Sequence, residues 1–243
     1  MANQQQTAVY VTPPAPEWVA GRALVVVDTL RATTTMTTLI GCGAARIYAC
    51  PSIEAGRALE ARLPGSRLCG EVEGERPEGF NYGNSPTEFE SLDVVGWTMV
   101  QATTNGTPAL RLAAEAHVTL VGCLRNRGAV VAALSGEADI AIVCGGEHGG
   151  AEASVEDTYT AGAIVEGLCV VEPAVQLSAG GRLARRLFRA YENAAAAFEE
   201  SPHATDLRKR GFTADLAYAA ELDVVDIVPR AVVDEEGRVV VSG

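Results

Sequence analysis

Lysine is almost absent from this chain. Of nineteen Lys and Arg, only Lys209 is a lysine, so any side chain that holds an anion by charge is an Arg, or the charge comes from a metal ion. No G-x-x-x-x-G-K-[ST] occurs, which excludes a P-loop enzyme. Histidine is scarce too. His117, His148 and His203 are the three present, none paired at helical spacing, which argues against a His-rich transition-metal site. If a metal is bound, oxygen ligands and Mg²⁺ are expected. The six cysteines form no C-x-x-C or other zinc pattern. Most lie in apolar runs and read as reduced core residues, with Cys144 beside a glycine turn as the alternative nucleophile. No apolar run is long enough for a membrane span. The start, MANQQQTAVYVTPPAPEW, lacks the regions of a secretory signal, so a cytoplasmic location is expected. A formal net charge of −12 argues against nucleic acid or an anionic membrane as partner.

What is present is a core-forming sequence. Apolar residues make up 48% of 243, enough for one globular domain over residues 1–243. Residues 24–38 read LVVVDTLRATTTMTT. The β-branched run suits a strand buried on both faces. The Thr-rich run suits a helix, to about Ile40, packing back on the sheet. Further strands are predicted over 7–12, 46–50, 67–72, 97–103, 117–124, 139–144, 223–233 and 238–241. Helices are predicted over 52–63, 105–115, 126–134 and 155–170. A longest helix is expected over 182–199, and two short ones over 202–222, the second capped by Thr213. Alternation of strands and helices through residues 20–170 predicts an α/β fold. The sheet should be largely parallel or mixed, with helices on both faces in three layers (α/β/α), and the terminal strands should add antiparallel edges. EVEGERPEGFNYGNSPTEF, residues 71–89, is expected to be a long functional loop. Within it, Asn81, Asn84 and Ser85 suit a substrate lid, and Phe80 and Tyr82 exceed what a plain surface loop needs.

Four predicted strand ends carry ligand-like groups, and in open α/β sheets such ends face one crevice. The first holds Asp28, Arg31, Thr33 and Thr34. An acid there can bind metal and an Arg can fork an anion, or Asp28 merely caps the helix and Arg31 pairs with it. The second is Gly70-Glu71. The third is Thr103 followed by Thr104, Asn105, Gly106 and Thr107, a turn able to aim N–H groups at an anion unless Asn105 is only a cap. The fourth is Gly145 and Gly146 with Glu147, leading to Ser154, Glu156 and Asp157; Ser154 and Asp157 also suit a capping box.

Five segments together resemble the 2-phosphosulfolactate phosphatase family, enzymes associated with coenzyme M biosynthesis. They are VVVDTLRATTTM (25–36), GE (70–71), GFNYGNSP (79–86), TTNGT (103–107) and CGG followed by SVEDTYTAG (154–162). The resemblance covers about residues 24–165 and little of 170–243. It implies an α/β enzyme that uses Mg²⁺ to hydrolyse a phosphate ester of a small hydroxy acid, here 2-phosphosulfolactate to sulfolactate and phosphate. The alternatives are another small phospho-hydroxy acid, such as phospholactate or phosphoglycerate, or a non-catalytic relative that binds an organic anion. Asp28, Arg31, Glu71 and Asp157 are the expected catalytic residues, with Asp28, Glu71 and Asp157 holding the metal. Thr33, Thr34, Asn84, Ser85, Thr104, Asn105, Gly106, Thr107, Arg125, Gly145 and Gly146 are expected to bind substrate. Such a substrate carries about four negative charges, which Mg²⁺ with Arg31 and Arg125 would offset. No second Asp stands at position 30, so water is favoured over Asp28 as nucleophile. Asn81 stands where the family is expected to carry Asp: either the site is weakened or the position only shapes the loop. A homo-oligomer, a dimer, is the expected assembly.

Overall fold

A computed structural model describes residues 5–103 and 105–243. Residues 1–4 and Thr104 lie outside the described residues. Ten strands form one mixed sheet with helices on both faces, an α/β fold. The strands are β1 (Gln6–Tyr10), β2 (Ala23–Val27), β3 (Arg46–Cys50), β4 (Arg67–Gly70), β5 (Thr98–Ala102), β6 (Val118–Gly122), β7 (Asp139–Cys144), β8 (Gln176–Leu177), β9 (Arg230–Val233) and β10 (Val239–Ser242). The helices are α1 (Ala32–Gly41), α2 (Ile53–Glu60), α3 (Pro86–Glu90), α4 (Gly106–Arg111), α5 (Arg127–Ala133), α6 (Val155–Val171), α7 (Ala179–Ala190), α8 (Ala194–Phe198), α9 (Pro202–Lys209) and α10 (Thr213–Ala219).

The sheet order is β4-β5-β3-β10-β9-β6-β2-β7-β1-β8. Strands β4, β5 and β3 form one parallel block, and β6, β2, β7, β1 and β8 a second. The hairpin β9–β10 joins them, antiparallel to a neighbour on each side. The terminal strands were expected as antiparallel edges; β9 and β10 instead fill the centre, and β1 pairs on both sides. They can do so because β10 presents Val239 and Val241 to the core, both buried.

Every residue of β2 is buried, and period-two alternation explains the unbroken apolar run. Leu24 and Val26 face a core shared with α1, while Val25 and Val27 face one shared with α5, α6 and α7. The first core also takes Ile47, Cys69 and Met99 from the other block. The sheet therefore curls around α1, whose residues 32–40 are all buried, consistent with twist accumulated over ten strands. A threonine-rich helix survives there because its hydroxyls bond backward. Thr34 Oγ1 donates to Thr29 O at 2.8 Å and Thr38 Oγ1 to Thr34 O at 2.9 Å.

Several element ends fall a few residues from expectation, and three differences have a structural cause. The helix foreseen over 182–199 is two, α7 and α8, because Asn193 caps the second by accepting from Ala196 N at 3.0 Å; α6, with 17 residues, is longest. Thr213 lies inside α10, whose cap is Phe212. Residues 223–229 are not strand. Val224 N there donates to Arg125 O at 2.8 Å, so this segment braces the end of β6. A third core of Leu30, Tyr159, Phe198, Leu207 and Leu216 seats α8, α9 and α10 above the ends of β2 and α6.

Candidate active site

Asp28 directly follows β2 and sits on the floor of a cleft of about 640 Å³. Its backbone and one carboxylate oxygen are fixed by the start of α1. Ala32 N donates to Oδ1 at 3.1 Å, Thr33 N to the Asp28 carbonyl at 2.9 Å, and Asp28 N to Thr33 Oγ1 at 3.0 Å. Two glycines leave room for the other oxygen. A Cβ on Gly106 would lie 2.7 Å from Oδ2, and one on Gly145 would lie 3.1 Å from it. These strand-end glycines thus admit a carboxylate. Burial pushes the Asp28 carboxyl up to about 6, and the charges of Glu71 and Glu156 add to the rise.

Asp157 lies behind Asp28 and does not line the cleft. Ser154 Oγ caps α6 by accepting from Asp157 N at 3.2 Å, as half a capping box would. The Asp157 side chain turns away from that box. Its Oδ1 accepts from Thr29 N at 2.7 Å and its Oδ2 from Gly146 N at 3.0 Å. It clamps the turns after β2 and β7 together. Burial and the charge of Asp28 raise its carboxyl well above the ordinary range.

Glu71, at the end of β4, lines the cleft and accepts from Gly74 N at 2.8 Å. Glu147, after β7, lines it as well, and burial with Glu156 pushes its carboxyl up. Three acids from three strand ends thus open on one space. Glu73 and His148, also lining it, hold left-handed φ of 51° and 52°. Such conformations cost energy and cluster at functional sites.

The far wall comes from α9 and includes His203, Asp206 and Arg210. Sequence reasoning missed it, because isolated His and Arg on short helices carry no motif. His203 Nδ1 lies 3.4 Å from Glu156 Oε1. Burial alone would push this imidazole down, but Glu156, Asp28 and Glu147 together push it above its usual value.

Arg31 lines the cleft, yet its guanidinium is already engaged. Nη1 donates to Asp215 at 2.7 Å, Nη2 donates to Gly74 O at 2.6 Å, and the group lies 4.1 Å over the Phe212 ring. The acid that pairs with it is Asp215 of α10, which no reading of the Thr-rich segment could foresee. Asp215 also accepts from Ser85 and Thr87 at 2.7 and 2.6 Å.

Several residues expected to bind substrate have other work. Thr33 and Thr34 spend their hydroxyls on the backbone of Asp28 and Thr29. Ser85 caps α3 and binds Asp215. Thr107 donates to Cys50 O at 3.0 Å. Gly146 is clamped by Asp157. Arg125 faces away from the cleft, bonded to Glu221 and to Tyr218 O and stacked 3.4 Å over the Tyr218 ring. Asn84 and Asn105 do line the cleft. Asn84 Oδ1 is held by Gln101, and Asn105 Oδ1 accepts from Gly149 N at 2.8 Å rather than capping α4. Residues 79–85, expected as a substrate lid, are anchored by their two aromatic residues. Phe80 is core, and Tyr82 stacks on Phe89 and Trp97 at 5.3 and 5.6 Å. Cys144 is fully buried, and burial pushes its thiol well above the usual value, so it is inert.

Among the described residues, no three His, Cys, Asp or Glu side chains converge into a ready-made cation cage. The donor set is nonetheless compatible with Mg²⁺, which often takes one or two carboxylates and keeps waters for the substrate to replace. Asp28, Glu71 and Glu147 offer carboxylate oxygens on one cleft, and the charge of Glu71 already bears on Asp28, a repulsion that a divalent cation relieves.

A family model described as 2-phosphosulpholactate phosphatase matches residues 12–234. Proteins named "Probable 2-phosphosulfolactate phosphatase" are similar throughout. One from Thermotoga maritima is 36% identical over 225 residues, covering 92% of this chain and 94% of its own. One from Symbiobacterium thermophilum is 38% identical over 232 residues, covering 94% and 97%. One from Deinococcus radiodurans is 36% identical over 210 residues, covering 85% and 86%. No helix among the described residues is long and apolar enough to cross a membrane.

Proposed function

Since the chain belongs to the 2-phosphosulfolactate phosphatase family, we propose that it is a phosphoric monoester hydrolase that converts 2-phosphosulfolactate to sulfolactate and phosphate with Mg²⁺. One observation carries the reading: Asp28 stands on the cleft floor between Gly106 and Gly145, with Glu71 and Glu147 opening on the same space.

Acids so placed repel a phosphate ester unless a cation intervenes. Asp28, Glu71 and Glu147 are the residues to hold it. Mg²⁺ bound there supplies Lewis-acid polarisation of the phosphoryl oxygens. Asp28 keeps one orientation because Ala32 N and the Thr33 hydroxyl fix it. Asp157 keeps the two flanking turns at a constant separation. Arg31, which lines the cleft with two of its five donors engaged, is the residue assigned to the carboxylate or sulfonate of the substrate. Water is the nucleophile, and Asp28 positions the reacting group. A cytoplasmic dimer acting in coenzyme M biosynthesis completes the proposal.

The test is phosphate release from 2-phosphosulfolactate in EDTA and after Mg²⁺ is restored. EDTA should abolish release and Mg²⁺ recover it. Full activity in EDTA would overturn the metal requirement. Release from phospholactate or phosphoglycerate but not from 2-phosphosulfolactate would move the substrate assignment.

A further inference from the structure

We propose that His203 is the general acid of this site, donating a proton from Nε2 to the ester oxygen of the departing alcohol while Glu156 holds the ring through Nδ1. The proposal rests on the phosphatase reading above. Three observations place the group. His203 lines the cleft across from Asp28, on α9, and its side chain is 26% exposed, so substrate can reach it. Its Nδ1 faces Glu156 Oε1 at 3.4 Å, which leaves Nε2 as the edge for chemistry. Glu156 is 1% exposed, and its Oε2 has no hydrogen-bond partner among the described residues. A carboxylate buried this deeply is costly unless a cation stands beside it. The imidazolium is the cation that meets it.

The charged surroundings favour the protonated ring. Glu156 comes from α6, Asp28 from the end of β2, Glu147 from the turn after β7, and Asp206 from the next turn of α9 itself. Arg31 is paired with Asp215, and Arg210, on the same side as His203, with Glu75. His148 is the remaining titratable cation on the cleft. Asp28 and Glu147 are the residues proposed to hold Mg²⁺, so the acids left to the ring with metal bound are Glu156 and Asp206.

The reaction needs such a donor. An alkoxide derived from a 2-hydroxy acid is a poor leaving group, unlike a nitrophenolate. As water adds to phosphorus in line, the P–O ester bond breaks and its electron pair stays on the substrate oxygen. That oxygen takes the proton from His203 Nε2 and leaves as the alcohol. The proton shed by the attacking water then returns to the imidazole by way of the product phosphate or solvent. Atoms and charge balance without any oxidant or further reactant.

Leaving-group dependence is the test. His203→Gln and wild type are compared on 2-phosphosulfolactate and on p-nitrophenyl phosphate, whose leaving group needs no proton. The expected result is a loss of about 10²–10⁴ in kcat on the alkyl ester and less than about tenfold on the aryl ester. NMR titration of the wild type, with the His203 resonance assigned by its absence in His203→Gln, adds a readout independent of turnover. Glu156→Gln should lower the His203 pKa and shift the basic limb of the alkyl-ester pH profile down with it. Equal losses on both esters, or an unmoved titration, would overturn the proposal in favour of a structural role. A raised Mg²⁺ requirement with equal losses would do the same in favour of a metal ligand. If the wild type hydrolyses neither ester, the phosphatase reading itself fails, a result distinct from these.

Discussion

Asp28 on one wall of the cleft and His203 on the other sit within electrostatic reach, but the chain holds them by different means. The sheet-end wall is fixed by backbone. Asp28 is tied to the first turn of α1, Asp157 clamps two turns by their N–H groups, and glycines set the spacing. The α9–α10 wall is fixed by side chains. Its polar links to the first wall include Arg31 with Asp215 and His203 with Glu156. The first wall is preorganised at a cost in charge repulsion, and the second depends on a few ion pairs that a single substitution can cut.

The largest effect should come from the first wall. Asp28→Asn should lower kcat/KM by about a thousandfold or more, roughly 4 kcal/mol, and yet stabilise the fold. The sign follows from linkage. Burial pushes the folded carboxyl up to about 6 from its ordinary 3.8, so between those values the native state binds more protons than the unfolded chain. Stability therefore falls as pH rises from about 4 to 6, and the full penalty remains above 6. In the metal-free protein Asn removes it, for a gain of up to about 3 kcal/mol at pH 7, smaller where Asp28 is protonated. Urea unfolding at pH 7 and pH 4 checks this. A variant less stable than wild type at both would show that Asp28 is a structural acid.

The second wall should break next. Arg31→Met leaves the Asp215 carboxylate buried at 1% exposure without its cation, a loss typically of about 3–5 kcal/mol. Asp215→Asn added to it should restore much of the stability. If kcat/KM recovers as well, Arg31 only fastens the walls. If stability returns and activity stays down by two orders of magnitude or more, Arg31 also touches substrate. Denaturation and kinetics on the single and double variants decide this.

A smaller effect isolates the spacing between strand ends. Gly106→Ala places a methyl 2.7 Å from Asp28 Oδ2 and 3.0 Å from the Ala32 Cβ. The carboxylate must move by several tenths of an ångström, and kcat should fall by about ten- to a hundredfold with little change in circular dichroism. Unchanged kinetics would mean that Asp28 tolerates displacement and is not positioned for chemistry.

The same division explains what was legible in the sequence. The α/β fold could be read because β2, β6 and β7 are apolar runs between helical patterns. Two sheet-end acids could be read because Asp28 and Glu71 follow strands directly, and Asp157 because it sits in the first turn of the helix after β7. The roles went astray where a side chain had a choice of partner. Thr33 and Thr34 looked like ligands but satisfy their own helix, and Arg125 looked like an anion clamp but found Glu221 nearly a hundred residues on. Asp215 and His203 stayed hidden because their partners, Arg31 and Glu156, are distant in sequence. The place of β9–β10 in mid-sheet is likewise a long-range pairing with no local signal.

Asn81 makes the finest comparison, because it lies in a motif of the first wall and yet outside the cleft. Where the family resemblance leads one to expect Asp, this chain has an amide, and a site short of one carboxylate would be a weak catalyst. The structure gives the position another task. Asn81 Oδ1 accepts from Leu68 N at 2.8 Å, and Asn81 N donates back to Leu68 O at 3.1 Å, so the residue pins the loop to β4. The carboxylate of Asp would accept that same N–H and is nearly the same size. No acid of the cleft is lost by having Asn here, since Asp28, Glu71 and Glu147 come from other segments. Asn81→Asp should therefore change kcat/KM for 2-phosphosulfolactate by less than about threefold, under roughly 0.7 kcal/mol, at saturating Mg²⁺. A gain of about a hundredfold, roughly 2.7 kcal/mol, would mean that the loop swings this side chain into the cleft during turnover. The natural protein would then be a weakened or repurposed member of its family.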